Sequence, residues 1–192
     1  MDMSGALKVR LLYTVFDTAL GTMGAVWSSI GVLRIVLPQA SREDVVRTIT
    51  DNGNEYEFCA VPHFGDLSER LQRYVRGEHV EFSDPLDLAG STPFQRAVWN
   101  TTRTIPYGKT QSYGWISNQL GKERAARAVG QALGSNPLPI IIPCHRVISS
   151  AGSLGGFTGG LDIKKRLLAI EGHKDLAVEH SSEIDSGHFE RS

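Results

Sequence analysis

Apolar positions set the first division of the chain. Val9 to Val15 is a β-branched apolar run, Met23 to Trp27 follows a Gly-Thr turn, and Gly31 to Leu37 alternates after Ser28-Ser29. Period-two patterning of this kind predicts three strands of a small antiparallel sheet. From Ser41 to Thr50 the spacing becomes helical, with Ser41 as N-cap, Asp44 three positions on, and Val45, Val46 and Ile49 on one face. A second helix is predicted from Gly65 to Arg76, and both can cover the sheet.

Breakers crowd Ser83-Asp84-Pro85 through Ala89-Gly90-Ser91, and helical patterning dominates beyond them. Thr92 is an N-cap, Pro93 fits the first helical position, and Gln95 completes a capping box, with Phe94, Val98 and Trp99 on one face. Ile105-Pro106-Tyr107-Gly108 reads as a turn. Short helices at Tyr113 to Leu120 and Glu123 to Leu133, stopped by Gly121 and Gly134, predict a helix-turn-helix. A last helix spans Asp162 to Ile170, and the irregular Gly152 to Gly160 loop is a candidate wing. The chain therefore divides into an N-terminal α/β support domain over 1–83, a linker over 84–91, a second domain over 92–172, and a polar, aperiodic tail over 173–192 expected to be disordered. The fold class is α+β in two domains.

Charge sharpens this division. The 192 residues have a net charge of -1, but 1–91 carry 8 Lys+Arg against 13 Asp+Glu (-5), 92–172 carry 10 against 3 (+7), and 173–192 carry 2 against 5 (-3). A compact basic segment suits a phosphate-bearing partner, although a solvated charged face has the same composition. The acidity of the first domain suggests that it faces away from such a partner and acts as support. No apolar run reaches the 18 residues of a membrane span, and the opening residues lack a secretory pattern. Two cysteines, Cys59 and Cys144, are too few for a disulfide framework and fit a reducing compartment. Cys59, His63 and His79 make no convincing metal ligand set, and no cofactor is expected.

The chemistry concentrates in Ser135-Asn136-Pro137-Leu138-Pro139-Ile140-Ile141-Ile142-Pro143-Cys144-His145-Arg146-Val147. Three prolines fix the backbone before Cys144 and keep it out of a regular helix. A lone cysteine is most often a packed core residue. His145 and Arg146 beside it, however, offer means of favouring the nucleophilic thiolate.

Pro143-Cys144-His145-Arg146-Val147 resembles the active-site signature of the O6-alkylguanine-DNA alkyltransferases. The resemblance runs from Thr92 to Gly172, through Ile105-Pro106-Tyr107-Gly108, Ala125-Ala126-Arg127-Ala128-Val129-Gly130, Asn136-Pro137, Gly159-Gly160-Leu161 and Glu171-Gly172, and is weaker over 1–91. It implies a ribonuclease H-like N-terminal domain and a mainly helical C-terminal domain with a winged helix-turn-helix. It also implies repair of O6-alkylguanine in double-stranded DNA by irreversible transfer of the alkyl group to Cys144, by a monomer in a prokaryotic cytoplasm or a nucleus. Acceptance of O4-alkylthymine and cooperative assembly on DNA are left open.

The resemblance implies roles residue by residue. Cys144 is activated through a water and His145, which Glu171 holds; Tyr113 supplies a proton or hydrogen bond to the departing base. Arg127 enters the stack vacated by a flipped nucleotide, while Ala125, Ala126, Ala128 and Gly130 let the helix lie close in the minor groove. Asn136 joins the recognition helix to the active-site turn. Pro139, Val147, Phe157 and Thr158 form the base pocket, with phenylalanine at 157 where relatives often have tyrosine. Taken singly, Glu171 reads as a helix-end surface residue, His145 as a core histidine, Tyr113 as packing and Arg127 as solvated. Two further classes are open: a sensor that binds alkylated bases without repairing them, which an intact Cys144 argues against, and a thiol hydrolase or redox enzyme, which the single nearby cysteine and the basic surroundings disfavour.

Overall fold

The computed structural model describes residues 11–51, 53–59 and 65–178. Three strands, β1 (Leu11–Thr18), β2 (Gly21–Trp27) and β3 (Val32–Gln39), form an antiparallel meander, with Tyr13 opposite Val26 and Ala25 opposite Ile35. The predicted start at Val9 lies outside the described residues. A fourth strand, β4 (Tyr56–Phe58), adds parallel to β1, so the sheet is mixed, in the order β3-β2-β1-β4. Strand β4 is three residues long, too short to show a period, and the sequence reading misses it.

Alternation along the strands feeds two cores. On one face Leu11, Val15, Val26 and Val36 pack with Val45 and Ile49 of α1 (Arg42–Thr50), which Ser41 caps by accepting from the Asp44 N–H at 3.1 Å. The other face, with Met23, Ala25, Trp27, Ile35 and Leu37, packs on α2 (Leu67–Val75) and continues without a break into the helices beyond residue 92. Each fully buried aliphatic side chain in these clusters contributes roughly 1.5–3 kcal/mol.

The breaker-rich stretch is not a free linker. Arg70 of α2 forms a two-pronged ion pair with Asp84 at 2.7 and 2.8 Å, and buried Asp87 accepts from the Ser28 hydroxyl at 2.5 Å. Backbone bonds from the Val32 N–H to Pro85 O and from the Asp87 N–H to Val32 O lay the segment along β3.

Helix α3 (Pro93–Arg103) begins with the predicted capping box of Thr92 and Gln95. Its Trp99 indole donates to Ala132 O at 2.8 Å, tying α3 to α5. Helices α4 (Tyr113–Gln119) and α5 (Ala126–Gly134) form the helix-turn-helix pair around Gly121. The second helix starts at Ala126, not Glu123, because the intervening residues form a turn: the Ser117 hydroxyl donates to Lys122 O and accepts from the Ala125 N–H. Two short parallel strands, β5 (Gln111–Ser112) and β6 (Val147–Ile148), flank α4. No strand forms in 152–160, the candidate wing, which instead closes over the site described below.

Helix α6 (Leu161–Ile170) is followed by a short helix, α7 (Lys174–Val178), where a disordered tail is expected; the remainder of that tail lies outside the described residues. Among the described residues, no helix is long and apolar enough to cross a membrane.

Candidate active site

The proline-rich segment delivers Cys144 by a tight turn. Ile140, a buried β-branched residue, sits at φ 75°, a left-handed conformation that costs on the order of 1–3 kcal/mol and that burial of its side chain helps to offset. The Ile142 N–H donates to Leu138 O at 2.8 Å, and a 3₁₀ turn over Cys144–Arg146 follows. Asn136 braces this turn on three sides. Its side-chain amide donates to Ile142 O at 2.9 Å and to Cys144 Sγ at 3.1 Å, while its oxygen accepts from the Leu138 N–H at 2.9 Å. The residue thus touches the thiol sulfur, a contact beyond the backbone bonds expected of it.

Behind the thiol lies a buried polar cluster. His145 Nε2 is 2.9 Å from Glu171 Oε1, and both side chains are fully buried. Arg146 donates to both carboxylate oxygens, through Nε at 2.9 Å to Oε2 and through Nη2 at 2.8 Å to Oε1, and its Nη1 donates to Ile105 O. The Gly108 N–H reaches Glu171 Oε2 at 3.1 Å. Gly108 has φ 68°, and a Cβ there would lie 3.1 Å from Glu171 O, so the Ile105–Gly108 turn needs glycine at its end. Burial alone would raise the Glu171 pKa, but the combined hydrogen bonds and charges of His145 and Arg146 outweigh it and hold the carboxyl far below the usual range.

Because Glu171 stays ionised, the proton on the neutral imidazole sits at Nε2, leaving Nδ1 as the basic position. His145 Nδ1 is buried and has no hydrogen-bond partner among the described residues. Desolvation lowers the histidine's pKa, opposed by Glu171. Desolvation likewise raises the Cys144 thiol, opposed by the Asn136 amide and then by the charge of Lys164. Arg146 therefore serves the carboxylate, and the cation that acts on the sulfur is Lys164 of α6. Lys164 is fully buried, donating to Val147 O at 2.6 Å and to Leu154 O, and burial lowers its pKa to about 8.

In front of the thiol is a cleft of about 570 Å³ lined by Tyr113, Ala126, Arg127, Gly130, Phe157 and Thr158, among others, with Cys144 in its wall. Gly155 also lines it, at φ 65°; a Cβ there would stand 2.5 Å from the Tyr113 hydroxyl, so only glycine lets the loop close over that ring. Burial raises the Tyr113 pKa and negative charge at Cys144 adds to it, while the Gly156 backbone N–H pulls the other way. The phenol thus keeps its proton beside the sulfur. A second cavity, of about 220 Å³, meets Cys144 from the β3 side and includes Pro139, with Phe157 and Thr158 shared between the two.

Not every expected residue reaches the cleft. Val147 is fully buried, its carbonyl taken by Lys164, and Ala128 lines none of the cavities around the thiol. Ala125 caps α5 and borders a neighbouring open hollow with Lys122 and Arg124. Arg127 is exposed at the cleft's edge.

This geometry coincides with sequence likeness along most of the chain. Residues 93–173 match the family described as 6-O-methylguanine DNA methyltransferase, DNA binding domain. A methylated-DNA-protein-cysteine methyltransferase of Shigella flexneri is 40% identical over 168 residues, which cover 86% of this chain and 98% of that protein. The chain belongs to the methylated-DNA-protein-cysteine methyltransferase family.

A relative with the same name from Mycolicibacterium paratuberculosis is 55% identical over 108 residues, 56% of this chain and 65% of that methyltransferase. The crystal structure of Mycobacterium tuberculosis OGT in complex with DNA superposes with a TM-score of 0.68 at 37% identity, covering 83% of this chain and 92% of the other. The methyltransferase family's α+β fold is thereby shown for this chain, including the N-terminal region where sequence resemblance is weaker. Two contributors to the buried cluster escape the sequence reading. Lys164 stands in a Lys-Lys-Arg run that reads as solvated, and Tyr74, whose hydroxyl donates to Glu171 Oε1 at 2.7 Å, comes from α2.

Proposed function

We propose that the protein repairs O6-alkylguanine in duplex DNA by moving the alkyl group onto Cys144 Sγ and keeping it there. The observation that carries this reading is the placement of the thiol, with an open cleft in front and the buried His145–Glu171 pair behind. In the proposed reaction the flipped guanine enters the cleft beside Tyr113, and Arg127, at its edge, takes the vacated place in the stack. Exposed Lys122, Arg124 and Arg127 give this face the positive charge that phosphates require. Ala125, Ala126 and Gly130, at and near the start of α5, present little bulk to a narrow groove.

The thiol proton passes to His145 through a water, as the resemblance implies, and the resulting imidazolium is stabilised by Glu171. Sγ attacks the alkyl carbon in line with its bond to O6: the S–C bond forms, the C–O bond breaks, and the electron pair goes to the guanine. The protonated Tyr113 hydroxyl offers that anion a hydrogen bond or proton. Among the described residues nothing around Sγ is arranged to hydrolyse a thioether, so each molecule acts once. A reaction that begins from a thiol suits a reducing cytoplasm.

The test is intact mass and peptide mapping after mixing with excess duplex containing O6-methylguanine. One methyl on the Cys144 peptide, unmodified guanine in the DNA and no second turnover are expected. An unchanged mass with selective binding of that DNA would replace repair by damage sensing.

A further inference from the structure

Among the described residues before position 92, the phenol of Tyr74 is the one group that joins the polar cluster behind the thiol. Tyr74 is 1% exposed and lies on α2, 97 positions before Glu171. Its hydroxyl donates to Glu171 Oε1 at 2.7 Å and stands 3.1 Å from His145 Nε2. Phe82 and Tyr107 hold the ring edge-on, at centroid distances of 6.0 and 6.2 Å.

The hydrogen-bond inventory leaves little freedom here. Tyr74 has one proton, and burial and the negative charge of Glu171 keep its pKa well above the usual phenol value, so the group stays a donor. With that proton spent on Glu171, Tyr74 can offer Nε2 only a lone pair. The Nε2–H then faces two acceptors, the carboxylate and the phenolic oxygen. Both favour the tautomer in which Nδ1 is free to take a proton, and the phenolic lone pair also favours the imidazolium.

We infer that Tyr74 is a positioning residue for the alkyl transfer, so that the N-terminal sheet region takes part in setting the strength of the His145 base across the packed interface. This rests on the proposed transfer to Cys144. The charged and titratable groups around His145 are Glu171, Arg146 and Lys164, with Cys144 beside it in sequence and Tyr107 on the far side of Tyr74. Apart from Glu171, no other group among the described residues supplies a lone pair to Nε2, and Arg146 and Lys164 both oppose its positive charge.

The experiment compares single-turnover transfer from O6-methylguanine duplex by the full chain, its Tyr74→Phe variant and a Phe82→Leu control, across the range in which an imidazole titrates. Removing the hydroxyl takes away an acceptor of the imidazolium N–H. The plateau rate is expected to fall about tenfold, the loss of one hydrogen bond to a charged group, and the acid-side midpoint to move to lower pH. DNA affinity should be unchanged. Phe82→Leu loosens the ring but keeps the hydroxyl, and is expected to lower stability while leaving the pH profile in place.

A wild-type rate and pH profile in Tyr74→Phe would overturn the inference, as would a Phe82→Leu variant that reproduced both changes. If Tyr74→Phe does not fold, 3,5-difluorotyrosine at position 74 keeps ring and hydroxyl but weakens the oxygen as an acceptor. A smaller shift to lower pH is then expected, and an unmoved profile counts against the role. His145's own titration, followed by NMR without DNA, separates this reading from the function: a wild type that transfers nothing defeats the repair proposal, while the histidine midpoint still reports whether Tyr74 acts on it.

Discussion

The two sides of Cys144 are built on opposite plans. Behind the sulfur, Glu171 alone receives hydrogen bonds from Tyr74, His145, Arg146 and the Gly108 N–H, all at 3.1 Å or less, with its own carboxylate out of solvent. In front, Tyr113, Arg127 and Phe157 line a cleft with few bonds among themselves, closed on one side by a glycine-rich loop. Fixed dipoles that need no rearrangement suit the generation of a nucleophile, whereas an unpaired, partly apolar surface suits a base that must be accepted from outside. The rear is therefore sensitive to charge and the front to shape.

The comparison breaks most completely at the sulfur, which belongs to both sides. Cys144→Ala is expected to abolish transfer while leaving DNA binding in place, checked by mass on the protein and by anisotropy on labelled duplex. Glu171→Gln attacks the rear alone. It keeps the shape but strands Arg146, and should slow transfer by at least about a hundredfold and cost roughly 3–5 kcal/mol in urea unfolding, as when a buried pair loses one partner.

Acid should find the same weakness without mutation. His145 and Glu171 both have folded-state pKa values below their ordinary ones, so each stabilises the fold above its unfolded value and loses that contribution as pH falls. Stability is expected to decline first below about 6.5, as the buried imidazole is forced to charge, and further below about 4.5, as Glu171 takes a proton. Denaturant midpoints measured against pH check this, and a flat profile between those values would contradict the burial of His145.

Gly155→Ala tests the front. The added methyl would meet the Tyr113 hydroxyl and force a residue with a Cβ into φ 65°, so transfer should fall about tenfold through misplacement of the phenol, with little change in acid sensitivity. Smallest is Thr92→Ala, which removes the cap of α3 and touches neither side directly: about 1 kcal/mol of stability and no change in transfer rate.

How far these features could be read in advance follows the range of the forces that make them. The helix caps, the meander and the stop at Gly121 depend on neighbours in the chain, and Ser41, Thr92 and Pro93 announce them directly. Cys144, His145, Glu171 and Asn136 are marked by motif rather than by period, and the fold brings them together. Tyr74 and Lys164 carry no local mark. A tyrosine on the apolar face of a helix looks like packing until the distant carboxylate and imidazole are seen to meet its hydroxyl; Lys164 looks like its solvated neighbours until Val147 O and Leu154 O are seen to receive it. The parallel strand β4 is similar, since its register is set by β1 rather than by its own three residues.

The buried cluster also has a history within each molecule. Its parts come from α2, from the turn before Lys109, from the cysteine segment and from the end of α6, with Glu171 following His145 by 26 residues. During synthesis the cysteine therefore leaves the ribosome before the glutamate that holds its histidine, and the contacts between them must wait for both. Until they do, Cys144 is an ordinary thiol beside an ordinary histidine. In the proposed reaction a protein that can be spent only once is thus armed only after Glu171 has joined the chain.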